Sequence, residues 1–472
     1  MSSSKVIRSS VYMGGATAVS FVAGLIRTKV VAMLLGPAGV GLVGIFTNFG
    51  GNLSAVSSWG IWTSGVRTIS AASEAEKARK SAAVGIFGRR LVWLGLSLAV
   101  VACWPVTFAT FADGRYLTDM LIVGLTAPLV VATGIWTARL QADGHLRALA
   151  QGQVLSALLG LLLGVPLIWT LGVKGIAPSL LLAAILLAAL TWRSATKLCR
   201  VDPSVQAQNQ DLHELAKLGA AFMAVAFMGQ LAAYGTRLIL VRQLGLEAAG
   251  HYQAAAAIAG SLPGLVVSAM GAGFFPQVAA AADESASRRL VDRQIEVGVM
   301  LGLPALVILV GAGGFCLHLL YARTFDAALP VLAWMTWGIL FRLLSWPMSY
   351  WLMARGSSKA VIVAEGFSCA CSVALPLFTV PYFGLAGAGI AFFLGHAIYA
   401  VGLLVISRRR SGGWVGRPAL EAMVWASLLL GGTQFFAPYS WLAVTATATL
   451  AAAGTSWFVL RREWIIDNTS TL

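Results

Sequence analysis

The chain has 472 residues, is 58% hydrophobic and only 11% charged, and carries a formal net charge of +15. A water-soluble domain carries about 25% charged residues, so these figures and a mean hydropathy of +0.82 exclude a soluble fold and place the chain in lipid. No cytoplasmic piece (67–83, 197–214, 281–293) is large enough for a catalytic domain, and the sequence has neither a nucleotide-binding P-loop nor a nucleophile-and-base set. It is read as a non-enzyme without cofactor or metal.

A bilayer helix needs about 20 apolar residues. In chain order, fourteen stretches qualify: 9–35, 42–66, 84–110, 117–140, 150–171, 175–195, 215–242, 248–279, 295–320, 328–354, 360–382, 385–407, 419–437 and 440–460. The first follows Lys5 and Arg8 and runs past Arg27 to Leu35, too long for a signal peptide, so it is read as an uncleaved transmembrane helix. It carries Arg27 and Lys29 and ends in Leu35-Gly36-Pro37-Ala38-Gly39-Val40-Gly41. The second carries Asn48, Asn52, Trp59 and Trp62; the seventh carries Gln230, Tyr234 and Arg237; the eighth carries Gln253; the tenth carries Arg342. Trp104, Trp169, Trp192 and Trp464 fall near stretch ends, as an interfacial aromatic belt requires. Cys103, Cys199, Cys316, Cys369 and Cys371 show neither disulfide nor zinc spacing.

With the N-terminus in the cytoplasm, alternating loops hold 25 Lys and Arg on the cytoplasmic side and 4 on the other (Arg115, Lys174, Arg242, Arg323). This asymmetry follows the positive-inside rule, puts both termini in the cytoplasm, and accounts for the basic charge without nucleic acid. The remaining 4 cations, Arg27, Lys29, Arg237 and Arg342, lie inside apolar stretches. Each costs about 2.5–3.5 kcal/mol at the centre of a lipid-facing helix, so they are expected to line a wet cavity and meet an anion. Glu365, six residues after Lys359, is read as wet, and His318 and His396 as packed or interfacial.

The chain also repeats itself. Gly36 and Gly41 match Gly245 and Gly250 at an offset of 209, and Gly172 and Gly175 match Gly384 and Gly387 at 212, as do Gly144 and Gly356. Six stretches per half give a parallel repeat, in which the halves enter the membrane in the same direction. The expected divisions are a six-helix bundle at 1–198, a cytoplasmic linker at 199–214, a second bundle at 215–410, and two additional helices with a tail at 411–472. Arg27 and Arg237 lie nine and eight residues before matching glycines, roughly 12–14 Å below the outer turn. They are expected at equal depth around one cavity, with Lys29, two residues on, turned about 200° away.

The turn Leu35–Gly44 and the region Phe325–Glu365, with Ala333-Trp334, Leu352 and Ala364-Glu365, resemble Wzx-type lipid-linked oligosaccharide flippases of the O-antigen and enterobacterial-common-antigen kind. These belong to the multidrug/oligosaccharidyl-lipid/polysaccharide exporter superfamily. The resemblance covers residues 1 to about 408 and implies two six-helix bundles forming a V. It implies a monomeric flippase of the bacterial inner membrane that carries undecaprenyl-diphosphate-linked glycan outward by alternating access. It further implies a phospholipid bilayer, and a polysaccharide polymerase with chain-length machinery, as partners. Arg27, Lys29, Arg237 and Arg342 would meet the diphosphate; Asn48, Asn52, Gln230, Tyr234 and Gln253, with Trp59 and Trp62, would face the glycan. Two helices beyond twelve resemble the lipid II flippases of the superfamily, which leaves that substrate open. A cation-coupled multidrug exporter is the other alternative, but it calls for a carboxylate within 9–35 or 215–242, and neither stretch has one. A non-transporting scaffold or an anion channel is a further alternative, and a scaffold would have no need of buried cations at matching depth.

Overall fold

The computed structural model describes residues 3–199, 205, 207–279, 283–354, 358–411, 415–436, 445 and 449. The described residues are helical throughout, joined by short turns, with no strand among them. Helices are α1 (Ser3–Ser58), α2 (Ile61–Ser70), α3 (Glu74–Phe111), α4 (Leu117–Gly124), α5 (Thr126–Ala142), α6 (Leu146–Leu171), α7 (Ile176–Leu198), α8 (Asn209–Leu244), α9 (Leu246–Ala279), α10 (Glu284–Gly311), α11 (Gly313–Leu320), α12 (Leu329–Ala354), α13 (Ser358–Ser411) and α14 (Arg417–Phe436). Eight helical runs are long and apolar enough to cross a membrane. Three of them, Tyr12–Ser70, Leu146–Leu198 and Ala360–Arg409, each hold two of the expected stretches. All of the stretch 440–460 but residues 445 and 449, together with Gly356 and Trp464, lies outside the described residues.

The repeated glycines adopt repeated conformations. Gly36 (φ 63°, ψ −163°) divides α1, and Gly245 (φ 90°, ψ 177°) separates α8 from α9. Pro37 follows Gly36, where its missing N–H costs a new helix nothing. Gly172 (φ 59°, ψ −132°) and Gly384 (φ 56°, ψ −138°) end the fifth and eleventh stretches alike. A Cβ on Gly175 would lie 2.2 Å from the Leu167 carbonyl oxygen, and one on Gly387 would lie 2.3 Å from that of Thr379. Leu167 and Thr379 are themselves 212 apart, so the duplication holds at the level of single contacts.

The second expected stretch is not one helix. It breaks at Trp59 (φ 46°) and Gly60 (φ 60°), and α2 restarts at Ile61. Within the apolar pattern 42–66 the local mark of this break is Gly60, whose positive φ suits glycine; Trp59 beside it is held by distant neighbours. Its indole Nε1 donates to the Ala216 carbonyl at 2.9 Å, and Gly219 lies so close that a Cβ there would be 2.2 Å from the Trp59 carbonyl oxygen.

Contacts divide the chain into two compact units, Met1–Gly250 and His251–Leu472. In the first, α1 packs on α6, α8 and α5, and α6 on α7. One core joins Leu42, Phe46, Phe49 and Leu53 to Met120, Val123 and Ile176; another joins Ile61, Val84, Ile135 and Leu215. In the second, α12 packs on α13 and on α10, and α10 on α14. Gly338 and Gly389 lie directly beneath Phe392 and Trp334 there. α8 opens the second repeat in sequence yet packs with the first unit. Trp93, Trp104, Trp169, Leu162, Val101 and Phe378 are exposed, an aggregation hazard in water and an ordinary surface in lipid.

Candidate functional site

In the first unit, α1 carries Arg27, which is half-buried, and its Nη2 donates to Ser179 Oγ on α7 at 2.9 Å. Ser179 is fully buried and donates in turn to the Ile176 carbonyl at 2.7 Å. The Arg27 contact uses one of the five N–H donors of a guanidinium. Lys29 is half-buried on the same helix. Arg237 on α8 is 7% exposed, and its Nη1 donates to the Ala233 carbonyl, one turn back, at 2.6 Å. Both arginines therefore hold part of their fork on protein oxygens, which orients the guanidinium.

Three predicted polar residues come together on α1 and α8. Asn48 Nδ2 donates to the Gly44 carbonyl at 2.7 Å, and Asn52 Nδ2 donates to the carbonyls of Asn48 at 2.9 Å and Gln230 at 3.3 Å. Asn52 Oδ1 is buried without a donor among the described residues. The Gln230 amide lies over Gly51, where a Cβ would stand 2.8 Å from Oε1. Tyr234 does not join this group. It is buried, and its hydroxyl shares a 2.5 Å hydrogen bond with Thr110 Oγ1, which fastens α8 to α3. Trp59 serves the helix break, and the exposed Trp62 donates to Gln141 Oε1 at 2.9 Å.

In the second unit, Arg342 is exposed on α12 and Gln253 is half-buried on α9. Glu365 is not the wet surface residue expected from its nearness to Lys359. It is half-buried, and its Oε1 accepts the Tyr399 hydroxyl at 2.7 Å and Ser349 Oγ at 3.4 Å. The second unit thus holds a hydrogen-bonded acid between α12 and α13, where the sequence alone suggested cations without acids. His396 is packed as expected, with Nδ1 3.0 Å from the Phe392 carbonyl oxygen; His318 is partly exposed and pairs with Asp326 at 2.6 Å.

Sequence reasoning missed a charged network where α8 begins. Asp211, 3% exposed at its side chain, faces Arg79 Nε at 3.3 Å and Lys80 Nζ at 3.5 Å. Lys80 also reaches the exposed Glu214 at 2.7 Å, and Arg79 reaches Glu76 at 3.2 Å. Asp211 closes a reciprocal cap with Gln208 as well. The available signal was a Gln with an Asp three residues on, a capping-box spacing.

The chain matches the family described as "Polysaccharide biosynthesis protein" over residues 6–281. It is 22% identical over 427 residues to proteins called lipid III flippase in Escherichia coli (strain K12) and Shigella flexneri, covering 86% of this chain and 99% of theirs. Its fold is like that of the lipid II flippase MurJ in an inward closed conformation (TM-score 0.73, 14% identity, 96% and 100% of the two chains). It is also like that of an inward-facing MATE family multidrug resistance transporter of the MOP superfamily (TM-score 0.66, 16% identity, 83% and 94%).

Proposed function

From a chain that belongs to the polysaccharide biosynthesis protein family and crosses the membrane many times, we propose a flippase. It moves undecaprenyl-diphosphate-linked oligosaccharide from the cytoplasmic to the periplasmic leaflet of the bacterial inner membrane. The observation that carries this reading is a cation set, the buried Arg237 with the half-buried Arg27 and Lys29, on apolar stretches that contain no Asp or Glu. Guanidinium suits a diphosphate, since it stays charged and bonds two phosphate oxygens at once. Arg342 is assigned the same role. The Asn48–Asn52–Gln230 amides offer donors and acceptors to sugar hydroxyls, as does Gln253.

The cycle we infer is alternating access, with the polyprenyl tail left in lipid. Moving about two negative charges outward across an inside-negative membrane is downhill by roughly 2.3 kcal/mol per charge per 100 mV. A cation-coupled drug exporter fits less well, because α1 and the membrane part of α8 offer a cationic drug no carboxylate. Lipid II is the second substrate worth testing, since the MurJ likeness spans 96% of the chain.

The test is flipping of a fluorescent undecaprenyl-diphosphate oligosaccharide in proteoliposomes. Arg237→Ala should slow it at least tenfold, about the value of one charge-assisted hydrogen bond, with normal insertion and folding. A mutant as fast as wild type makes Arg237 structural and removes the main support. A wild type that flips only lipid II moves the substrate, and one inactive on every anionic lipid ends the flippase reading.

A further inference from the structure

The turn between α5 and α6 borders a groove that the proposed transport path does not use. It has a volume of about 450 Å³ and is lined by Gly144, His145, Arg147, Ala148, Gln151 and Leu198. We propose that this groove binds the phosphate of an anionic membrane phospholipid.

The charge there is positive and available. Arg147 is exposed and has no carboxylate partner among the described residues; its guanidinium carbon lies over the Tyr12 ring, 5.9 Å from the centroid. Asp143, the one acid of the turn, is engaged elsewhere, with Lys77 Nζ at 3.5 Å. α6 begins at the groove without a side-chain cap and without an acid in its first turn, so its terminal dipole favours the same anion. Arg147 supplies bidentate donors, and His145 and Gln151 supply hydrogen-bonding groups suited to the remaining phosphate oxygen and to a glycerol hydroxyl.

The surroundings select a lipid rather than a free ion. Leu198 and Ala148 give the groove an apolar wall. The α7 end beside it carries exposed Trp192, Arg193 and Lys197, and Trp192 pairs with Trp136 at 6.3 Å between ring centroids. Tryptophan with flanking cations marks headgroup depth. Basic pockets between transmembrane helices at that depth hold anionic headgroups. A volume near 450 Å³ is within the usual range for a small-molecule site and leaves room for phosphate with glycerol. Free phosphate would gain nothing from the apolar wall.

The test is native mass spectrometry of the purified full chain titrated with phosphatidylglycerol, phosphatidylcholine or inorganic phosphate. Wild type should bind one phosphatidylglycerol in preference to phosphatidylcholine. Arg147→Ala should weaken that binding about fivefold to tenfold, the value of one interfacial cation, and Arg147→Lys should restore part of it. Gln151→Trp, at an exposed position, should block the groove without touching the charge. Arg115→Ala, on another exposed cation, should bind as wild type. Equal binding by Arg147→Ala, by Gln151→Trp or of phosphatidylcholine overturns the proposal. Competition by millimolar inorganic phosphate overturns the lipid assignment in favour of a free anion. Binding is read without transport, so a failed flipping assay leaves this result standing, and the reverse holds too.

Discussion

Replacing Asp211 by Asn should destabilise the first unit far more than replacing Glu214 by Gln, although both acids reach Lys80. Asp211 is 3% exposed and faces two cations at 3.3 and 3.5 Å. At 4 Å and an effective dielectric of 20, one such pair is worth about 4 kcal/mol before desolvation. Removing one partner of a fully buried pair costs about 3–5 kcal/mol. Here Arg79 and Lys80 are 26% and 15% exposed and keep Glu76 and Glu214 as partners, and the amide oxygen introduced by Asp211→Asn could still receive the Gln208 N–H. These terms reduce the cost to about 1–3 kcal/mol. Glu214 is 58% exposed, so its loss should cost less than about 1 kcal/mol. Unfolding in mixed detergent and dodecyl sulfate, followed by tryptophan fluorescence, ranks the two. Equal midpoints for the two variants, or an unchanged midpoint for Asp211→Asn, would show that burial does not set the strength of this network.

Gly175→Ala and Gly387→Ala should each lower the unfolding free energy by a similar amount, about 1–3 kcal/mol. Both place a Cβ against an equivalent backbone carbonyl, and a thermal scan of the two variants tests the repeat directly. Tyr234→Phe should lose about 1 kcal/mol of stability and keep the wild-type flipping rate, because its hydroxyl is bonded to Thr110; a glycan-dependent loss of rate would return it to the substrate site. Gln230→Ala should alter the relative rates for glycans of different sugars while leaving stability nearly unchanged, measured by paired flipping and melting assays. Asp283 caps α10 through the Ala286 N–H at 2.6 Å, and that bond, with Ser285, holds its carboxyl below the usual range. Its contribution is complete above the ordinary aspartate value of about 3.9 and is lost as pH falls through the lower native value. The melting difference between wild type and Asp283→Ala should be flat from about pH 5 to pH 8 and shrink only in stronger acid.

Helix positions were legible because lipid imposes a length and a composition on each span, and short glycine turns mark the ends. The duplication was legible for the same reason: Gly36, Gly172 and their counterparts take a backbone conformation that other residues avoid. The break at Trp59 was not, since Gly60 is a lone glycine among many and the partners that hold Trp59, Ala216 and Gly219, lie more than 150 residues away. Arg27 and Arg237 were legible as cations within apolar spans, but Ser179, 152 residues from Arg27, carries no motif. Tyr234 was read as a cavity residue because an aromatic hydroxyl looks the same in sequence whether it meets a sugar or a threonine. Glu365 was misjudged because distance along the chain to Lys359 stood in for distance to Tyr399 and Ser349.

Trp59 is a bulky residue in a left-handed backbone conformation, which costs on the order of 1–3 kcal/mol and persists only where neighbours overdetermine it. The neighbour is α8, through the Ala216 carbonyl and the bare face of Gly219. The bend between α1 and α2 is therefore conditional: it belongs to the docked α8 and not to the segment itself. Pulling α8 away would release that tension, and residues on both sides of Trp59 could rejoin as one straight rod. Undocking is then easier than the visible contacts alone suggest. The same indole would lose its hydrogen bond in that event and shift its emission, giving the molecule a built-in optical gauge of whether α8 is seated.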